Sequence, residues 1–516
     1  MTHGKYSRRQ LLRVGGGLSM LGAAAPFAAQ LVAAGNAVSQ SAPDYKALVC
    51  VFLFGGNDAH NMVLATDNDS WGRYFAARNT GNDPIALMPV GTPPTPVGAT
   101  NPVTGRVSTA DSPEAWGGVL PIIPRTIQPI PAGTNASVRT FGLHPFMAPA
   151  KDLFDAGRLA VVANVGTLVR PITKAQYEAR TVAFPANLFS HNDQQSTWQA
   201  GQTEGARVGW GGRFGDLLNG MNGTSSLFTA VSTSGNAVFL SGQSVVQYQM
   251  STGAQPAVVI NGQASGALFG STIAPARVRE LVTDTSSASL FAADYATTTG
   301  RSIGAANSLN TAFASSAVTG VATAPAYRNP ITGATETNSL AVQLQTVARM
   351  IAAAPTLGLR RQVFFVSLGG WDTHDFQNTA QANNLSKVAH ALSYFDSALG
   401  NLGGVNMRNA VTTFTASDFS RTFTTNGDGT DHAWGGHHLV MGGAVRGGDI
   451  YGQYPTLGVD LGTFRNPDMS RSYLVPTTSV DQYAATMGRW LGVSEANLDS
   501  IFPNLGNMVT RGLGFL

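Results

Sequence analysis

The sequence predicts an α/β protein built on a doubly wound, mostly parallel sheet with helices on both faces. Three observations lead there. Residues 47–54, ALVCVFLF, are an uninterrupted apolar run closed by Gly55-Gly56-Asn57-Asp58, as expected of a central strand buried on both faces. Further along, β-branched and aromatic runs alternate with segments of helical spacing, the order that βαβ units leave in a chain. Five of the nine histidines fall between Trp371 and His438, in two clusters that each follow a predicted strand. In an open α/β sheet, ligands bind at that edge, outside the carboxyl ends of the strands.

Taken in order, the N-terminus concerns destination rather than fold. Ser7-Arg8-Arg9-Gln10-Leu11-Leu12 precedes an uncharged stretch, residues 14–43, rich in Gly and Ala. Paired arginines before a weakly apolar segment resemble a twin-arginine export signal, and the small residues near Gly35 and Ala37 suit a signal peptidase. A spanning helix carries more Leu, Ile and Val than this stretch does. Residues 1–43 are therefore expected to be a leader, carried by the twin-arginine translocase and cleaved near Ala37. The mature protein would be periplasmic or secreted, with no stable membrane span.

Residues 44–516 are expected to form one domain. Its elements are the strand at 47–54, a Pro-, Gly- and Asn-rich insertion at about 67–140, a helix at 147–157 and a strand at 158–165. A Ser-, Thr-, Ala- and Gly-rich stretch at about 224–337 reads as a cap or a β-rich elaboration. Helices at 339–354 and 380–402 bracket a strand at 362–368. Another strand at 409–416 and a closing helix at 479–491 complete the order, and no fixed-period repeat is present.

Composition narrows the function. With 516 residues, 43% of them hydrophobic, the chain can bury a large core. Subtracting the leader's four positive charges (Lys5, Arg8, Arg9 and Arg13) from the net +3 leaves −1, so nothing supports nucleic-acid or anionic-membrane binding. The lone Cys50 sits within the apolar run and reads as an inert buried thiol. The 59 glycines and the 12% charged fraction point to long irregular loops.

The parallel sheet would gather the loops GGNDAHN, FSHNDQQSTWQAG, GGWDTHDFQ, TASDFSRT and GTDHAWGGHH on one edge. Carboxylate and imidazole together are what a divalent cation, or acid–base chemistry on an anionic ester, requires. The leader, together with FLFGGNDAHN, NLFSHNDQQSTWQAG, GWGGRFGD, LGGWDTHDFQ and TDHAWGGHHLVMGGAVRGGDIYG, resembles the exported bacterial family of domain of unknown function 1501. That family is similar, more distantly, to the alkaline phosphatase and sulfatase superfamily, in which metal ions sit at the strand ends of an α/β sheet beside a hydroxyl nucleophile.

Carried across by position, the resemblance implies that Asp58 opens the site as a metal ligand and that Ser190 is the nucleophile or a ligand. Asp372 and His374 would bind one metal, joined by His432. Asp418 would belong to a second, but the superfamily's Asp-His pair is here Asp418-Phe419, so one nitrogen ligand is missing. What remains implied is one metal, a harder ion held by oxygens, or none, with zinc, manganese and calcium all open. Arg421 near such a site would grip phosphate or sulfate bidentately.

Each residue also has a plainer reading. Asp58 and Ser190 suit helix N-caps, Arg421 a surface ion pair, and His191 and Asp193 are either ligands or braces of their loop. Trp371 and Trp434 read as packing and His390 as structural, while His60 and His144 have no second feature beside them. Alternation along a strand sends His437 and His438 to opposite sides, so at most one joins the site. The expectation is an exported, metal-assisted hydrolase of phosphate or sulfate esters, acting on a small molecule or a polymer. The alternative is a cell-envelope binding protein that keeps the fold without catalysis.

Overall fold

The apolar run after Tyr45 is strand β1 (Lys46–Leu53), with seven of its eight residues buried. The structure, a computed structural model, describes residues 45–131, 134–252 and 266–516, so the leader and its twin-arginine motif lie outside the described residues. After β1 come β2 (Leu159–Gly166), β3 (Ala230–Ser232), β4 (Tyr248–Gln249), β5 (Arg361–Leu368), β6 (Val411–Ser417), β7 (Gly436–Met441), β8 (Ile450–Tyr451) and β9 (Thr478–Ser479). They form one nine-stranded sheet in the order β8-β2-β7-β6-β1-β5-β3-β4, with β9 also pairing β2. β7 runs antiparallel to both of its neighbours and every other pairing is parallel. This is the mostly parallel, doubly wound sheet that the sequence predicts.

The helices used below are α1 (Ala59–Met62), α2 (Asn68–Arg78), α3 (Ala148–Asp155), α4 (His191–Ala200), α5 (Trp210–Leu218), α6 (Ala274–Thr283), α7 (Leu290–Phe313), α8 (Ser339–Leu357), α9 (Gln377–Gly400) and α10 (Val480–Leu491). Alternate residues of β1 feed two separate cores. Val49, Val51 and Leu53 join α3, α8 and α9 on one face, while Leu48, Cys50 and Phe52 join α5 and α10 on the other. A strand buried on both faces has no polar side to show, which is why its sequence reads as a continuous apolar run. Each such side chain contributes roughly 1.5–3 kcal/mol by leaving water. Cys50 is buried, and burial pushes its thiol well up, as an inert core residue requires.

Two stretches differ from their sequence reading. The segment at 67–140 opens with α2 instead of surface loop, and Arg78 and residues 85–88 are fully buried. Its weak periodicity reflects a polar anchor, described below, instead of an apolar stripe. The segment at 224–337 carries α6 and α7, and α7 packs on α8. The buried positions of α7 are Ala296, Ile303, Ala306, Leu309 and Ala312, mostly alanines, too small to mark a helical stripe in the sequence. Among the described residues no helix is long and apolar enough to cross a membrane.

Register sets up the functional edge. Leu53, the last residue of β1, lies opposite Leu368 of β5 and Ser417 of β6. Residues 54–58, 369–376 and 418–421 therefore leave the sheet at one level and side by side.

Candidate metal centre

Gly55 makes the three loops fit together. Its φ is +120°, a region that disfavours side chains, and a Cβ there would collide with the backbone of Asp372. Its N–H donates to Oδ2 of Asp418 at 3.2 Å, and its carbonyl accepts from Arg421 at 2.7 Å. Arg421 is fully buried and spends its guanidinium inside the edge. It donates to the carbonyls of Gly55, Gly56 (3.1 Å), Thr430 (3.1 Å) and Trp371 (3.3 Å), and it pairs with Asp372. The anion-binding role expected of Arg421 thus meets a side chain already committed to clamping the loops together.

Asp372 is the hub. Three imidazoles turn Nε2 towards it: His191 lies 3.5 Å from Oδ2, while His374 and His432 lie 3.2 and 3.3 Å from Oδ1. Each imidazole is held from behind through Nδ1. The oxygens are Oδ2 of Asp418 for His191 (2.7 Å), Oδ1 of Asp431 for His374 (3.2 Å) and the carbonyl of Phe189 for His432 (2.8 Å). A carboxylate or carbonyl oxygen only accepts, so each Nδ1 carries a proton and each ring turns its Nε2 inward. The Nε2 atoms of His374 and His432 are 2.9 Å apart. Two lone pairs do not face each other at that distance without a proton or a cation between them. Among the described residues, His191, Asp372 and His432 each offer a ligand atom, all within 4.8 Å of one another.

The local electrostatics follow from burial and pairing. The hydrogen bond from His191 to Asp418 raises the His191 pKa, outweighing the desolvation that lowers it. Burial pulls His432 below its ordinary value. Desolvation would raise Asp372, but its hydrogen bond and charge interaction with Arg421 prevail and hold its carboxyl low. Asp372 is therefore held as an anion facing the three imidazoles.

Of the residues expected at the site, Asp372, His374, His432 and Asp418 come together. Asp418 stands behind His191, accepting also from Gln195 at 2.9 Å, and is fully buried. Asp58 points elsewhere. Its carboxylate pairs with the guanidinium of Arg78, both side chains wholly buried, and also accepts from the His60 N–H (2.9 Å) and from Gln377 (2.6 Å). It is the N-cap of α1, the plainer of its two readings, and this ion pair is the polar anchor of α2. Ser190 likewise caps α4, accepting from the N–H of Asp193 at 3.5 Å. The next residue, His191, is the one that reaches Asp372.

The remaining histidines among the described residues are structural. His437 and His438 do face opposite sides of β7, but both sides are core, so both are buried. His437 stacks on Tyr454 and His438 packs on Trp198. His390 contacts Asn338 through Nδ1, and His144 caps a 3-10 turn with Nδ1 at 3.2 Å from the Phe146 N–H. His60 is buried against Phe423. Trp371 and Trp434 are buried packing residues.

The sequence reading left His191 undecided and missed Gln195, Arg78 and Gln377. A signal for the first two was present, because His191 and Gln195 are four apart on one helix and so share a face. Arg78 and Gln377 had none, since their partner Asp58 lies 20 and 319 positions away. No curated protein matches the sequence. A family model described as protein of unknown function (DUF1501) matches residues 45–502, and the chain belongs to that family.

Proposed function

We propose that the protein is an exported, metal-assisted hydrolase of phosphate or sulfate esters, with His191, Asp372 and His432 as ligands of a divalent ion. The observation that carries this reading is the inward convergence of three Nε2 atoms on one carboxylate, each imidazole braced through Nδ1. Bracing of that kind fixes the tautomer and orientation of metal-ligating histidines. Two nitrogens and a carboxylate suit zinc or another first-row transition ion better than calcium, which takes an all-oxygen shell. Three protein ligands also leave a coordination position for substrate.

A bound divalent ion supplies Lewis acidity towards an ester oxygen. The chain's own groups supply the rest. His374, its side chain 41% exposed and its Nδ1 held by Asp431, holds or moves a proton at Nε2 beside that position. Asp418 keeps the lone pair of His191 aimed inward, and Arg421 keeps Asp372 ionised. Ser190, engaged as a helix cap, is not the attacking group in this reading.

Metal analysis of protein purified from its native host, with turnover of aryl phosphates and aryl sulfates, tests it. About one ion per chain with ester turnover is the expected result. Absence of both would overturn the reading. A second reading, a binding protein of the cell envelope without catalysis, is favoured by the commitment of Arg421 to backbone carbonyls, which leaves no free guanidinium for the ester. Stoichiometric metal without turnover would select it.

A further inference from the structure

A cavity of about 640 Å³ lies between the 3-10 segment Asn219–Phe228, the loop at 244–246 and the middle of α7. Pockets for small molecules occupy roughly 300–1,000 Å³, so it has room for a ligand of more than a few atoms. Arg301, Gly304, Ala305 and Ser308 of α7 line it. At positions i, i+3, i+4 and i+7 they share one helical face, so the side chain of Arg301 leaves α7 on the side of the cavity.

Three features set it apart from a surface groove left to water. Of the described lining residues Arg301 alone is charged, and it has no hydrogen-bond or ion-pair partner among the described residues. Asp216, which braces the loop at 243–245, lies outside the lining. Its carboxylate already accepts from the N–H groups of Gln243 (2.6 Å), Ser244 (2.9 Å) and Val245 (2.7 Å) and from the Ser244 hydroxyl (2.8 Å). The unspent capacity of the cavity is therefore cationic, and a guanidinium grips a carboxylate through two parallel N–H bonds. Elsewhere in the lining, Leu227 and Val246 are 39% and 72% exposed, which leaves apolar surface in water in the same cavity as that charge. Gly304 is the third feature. Glycine destabilises a helix interior, and here neither a left-handed backbone nor crowding calls for it, since a Cβ would meet nothing within 4 Å. A glycine at this place keeps the cavity open.

We propose that the cavity is a second ligand site, taking a small amphiphilic carboxylate whose head pairs with Arg301 and whose apolar chain covers Leu227 and Val246. The site uses none of the metal-centre residues and does not depend on the reaction assigned there.

Isothermal titration of the full chain with sodium octanoate tests it, with 1-octanol as the uncharged counterpart and sodium acetate as the head without the chain. Saturable one-to-one binding of octanoate is expected, with the alcohol and acetate both much weaker. Arg301→Gln, which removes the charge, should weaken octanoate binding by about tenfold or more, the loss of a charge-assisted pair. Gly304→Leu, which fills the cavity from α7, should abolish binding while metal content stays at the wild-type value and the melting temperature does not fall. It decides the matter should Arg301→Gln fold poorly. No saturable heat with the wild type, equal binding by octanol or acetate, or undiminished binding by either folded variant would overturn the proposal and leave the cavity to water.

Discussion

Asp418, wholly buried, accepts from Nδ1 of His191 at 2.7 Å and so turns the other ring nitrogen towards Asp372. Carboxylates in this position raise ligand basicity and fix the ring, and removing them typically costs 10–100-fold in metal affinity. Asp418→Asn should weaken metal binding by about that factor, measured by competition with a chromogenic chelator. Unchanged affinity would mean that His191 is not a ligand.

Among the described residues, His191, Asp372 and His432 form the group whose donor atoms all lie within 4.8 Å of one another, and His374 is not part of it. His191→Ala and His432→Ala should each strip most of the metal, because a shared first shell loses affinity with any member. His374→Gln should keep the metal and reduce turnover by roughly 10²–10⁴, the range for a lost acid–base group. His390→Ala is the control and should change neither. Equal metal loss in the His374 variant would make that residue a ligand.

Ser190 offers a plain contrast. As the cap of α4, its replacement by alanine should cost about 1 kcal/mol of stability and leave the rate per folded molecule unchanged. A melt and a rate measurement on one preparation check both halves. Loss of turnover in a stable Ser190→Ala protein would restore the nucleophile that the superfamily resemblance implies.

Asp58 and Arg78 should matter to folding alone. Arg78→Met strands a buried carboxylate and should destabilise the protein by about 3–5 kcal/mol, read by urea unfolding. Metal bound per folded molecule should stay constant in the same variant. A fall in that ratio would tie Asp58 to the metal centre.

Asp481 gives a pH signature with a definite sign. Its folded pKa, about 7, lies above the unfolded value of roughly 3.9, so the fold prefers the protonated form. Its contribution is intact below about pH 4, is lost as pH rises towards 7, and stays lost above that. Asp481→Asn should match the wild type at pH 4 and exceed it at pH 8 by up to about 4 kcal/mol. Parallel melting curves at the two pH values check it, and a variant equally stable relative to wild type at both would show that the carboxyl is not desolvated.

The functional edge was legible where local pattern carries it. Asp372, His374, Asp418 and His432 stand in loops just past strands, and the runs before them mark β5 and β6. His191 was harder, because FSHND offers a serine, a histidine and an aspartate at the start of one helix. Which of them faces the sheet depends on the angle at which α4 docks, and local sequence does not carry that angle. The helix α7 escaped for another reason, since alanines make close helix contacts without an apolar stripe.

The sequence by itself determined the central strand, the sheet class and the loops that bear the candidate site, because a strand buried on both faces must be apolar throughout and its chain must turn in glycine-rich loops at its ends. Only the tertiary structure decided which polar groups meet. Asp58 turned away because a guanidinium from 20 residues later reaches it in the core, and Arg421 was taken up by four backbone carbonyls. His191 was recruited through a carboxylate 227 positions along the chain. A buried charge is settled by whichever partner arrives in space, and no periodicity in the chain records that partner.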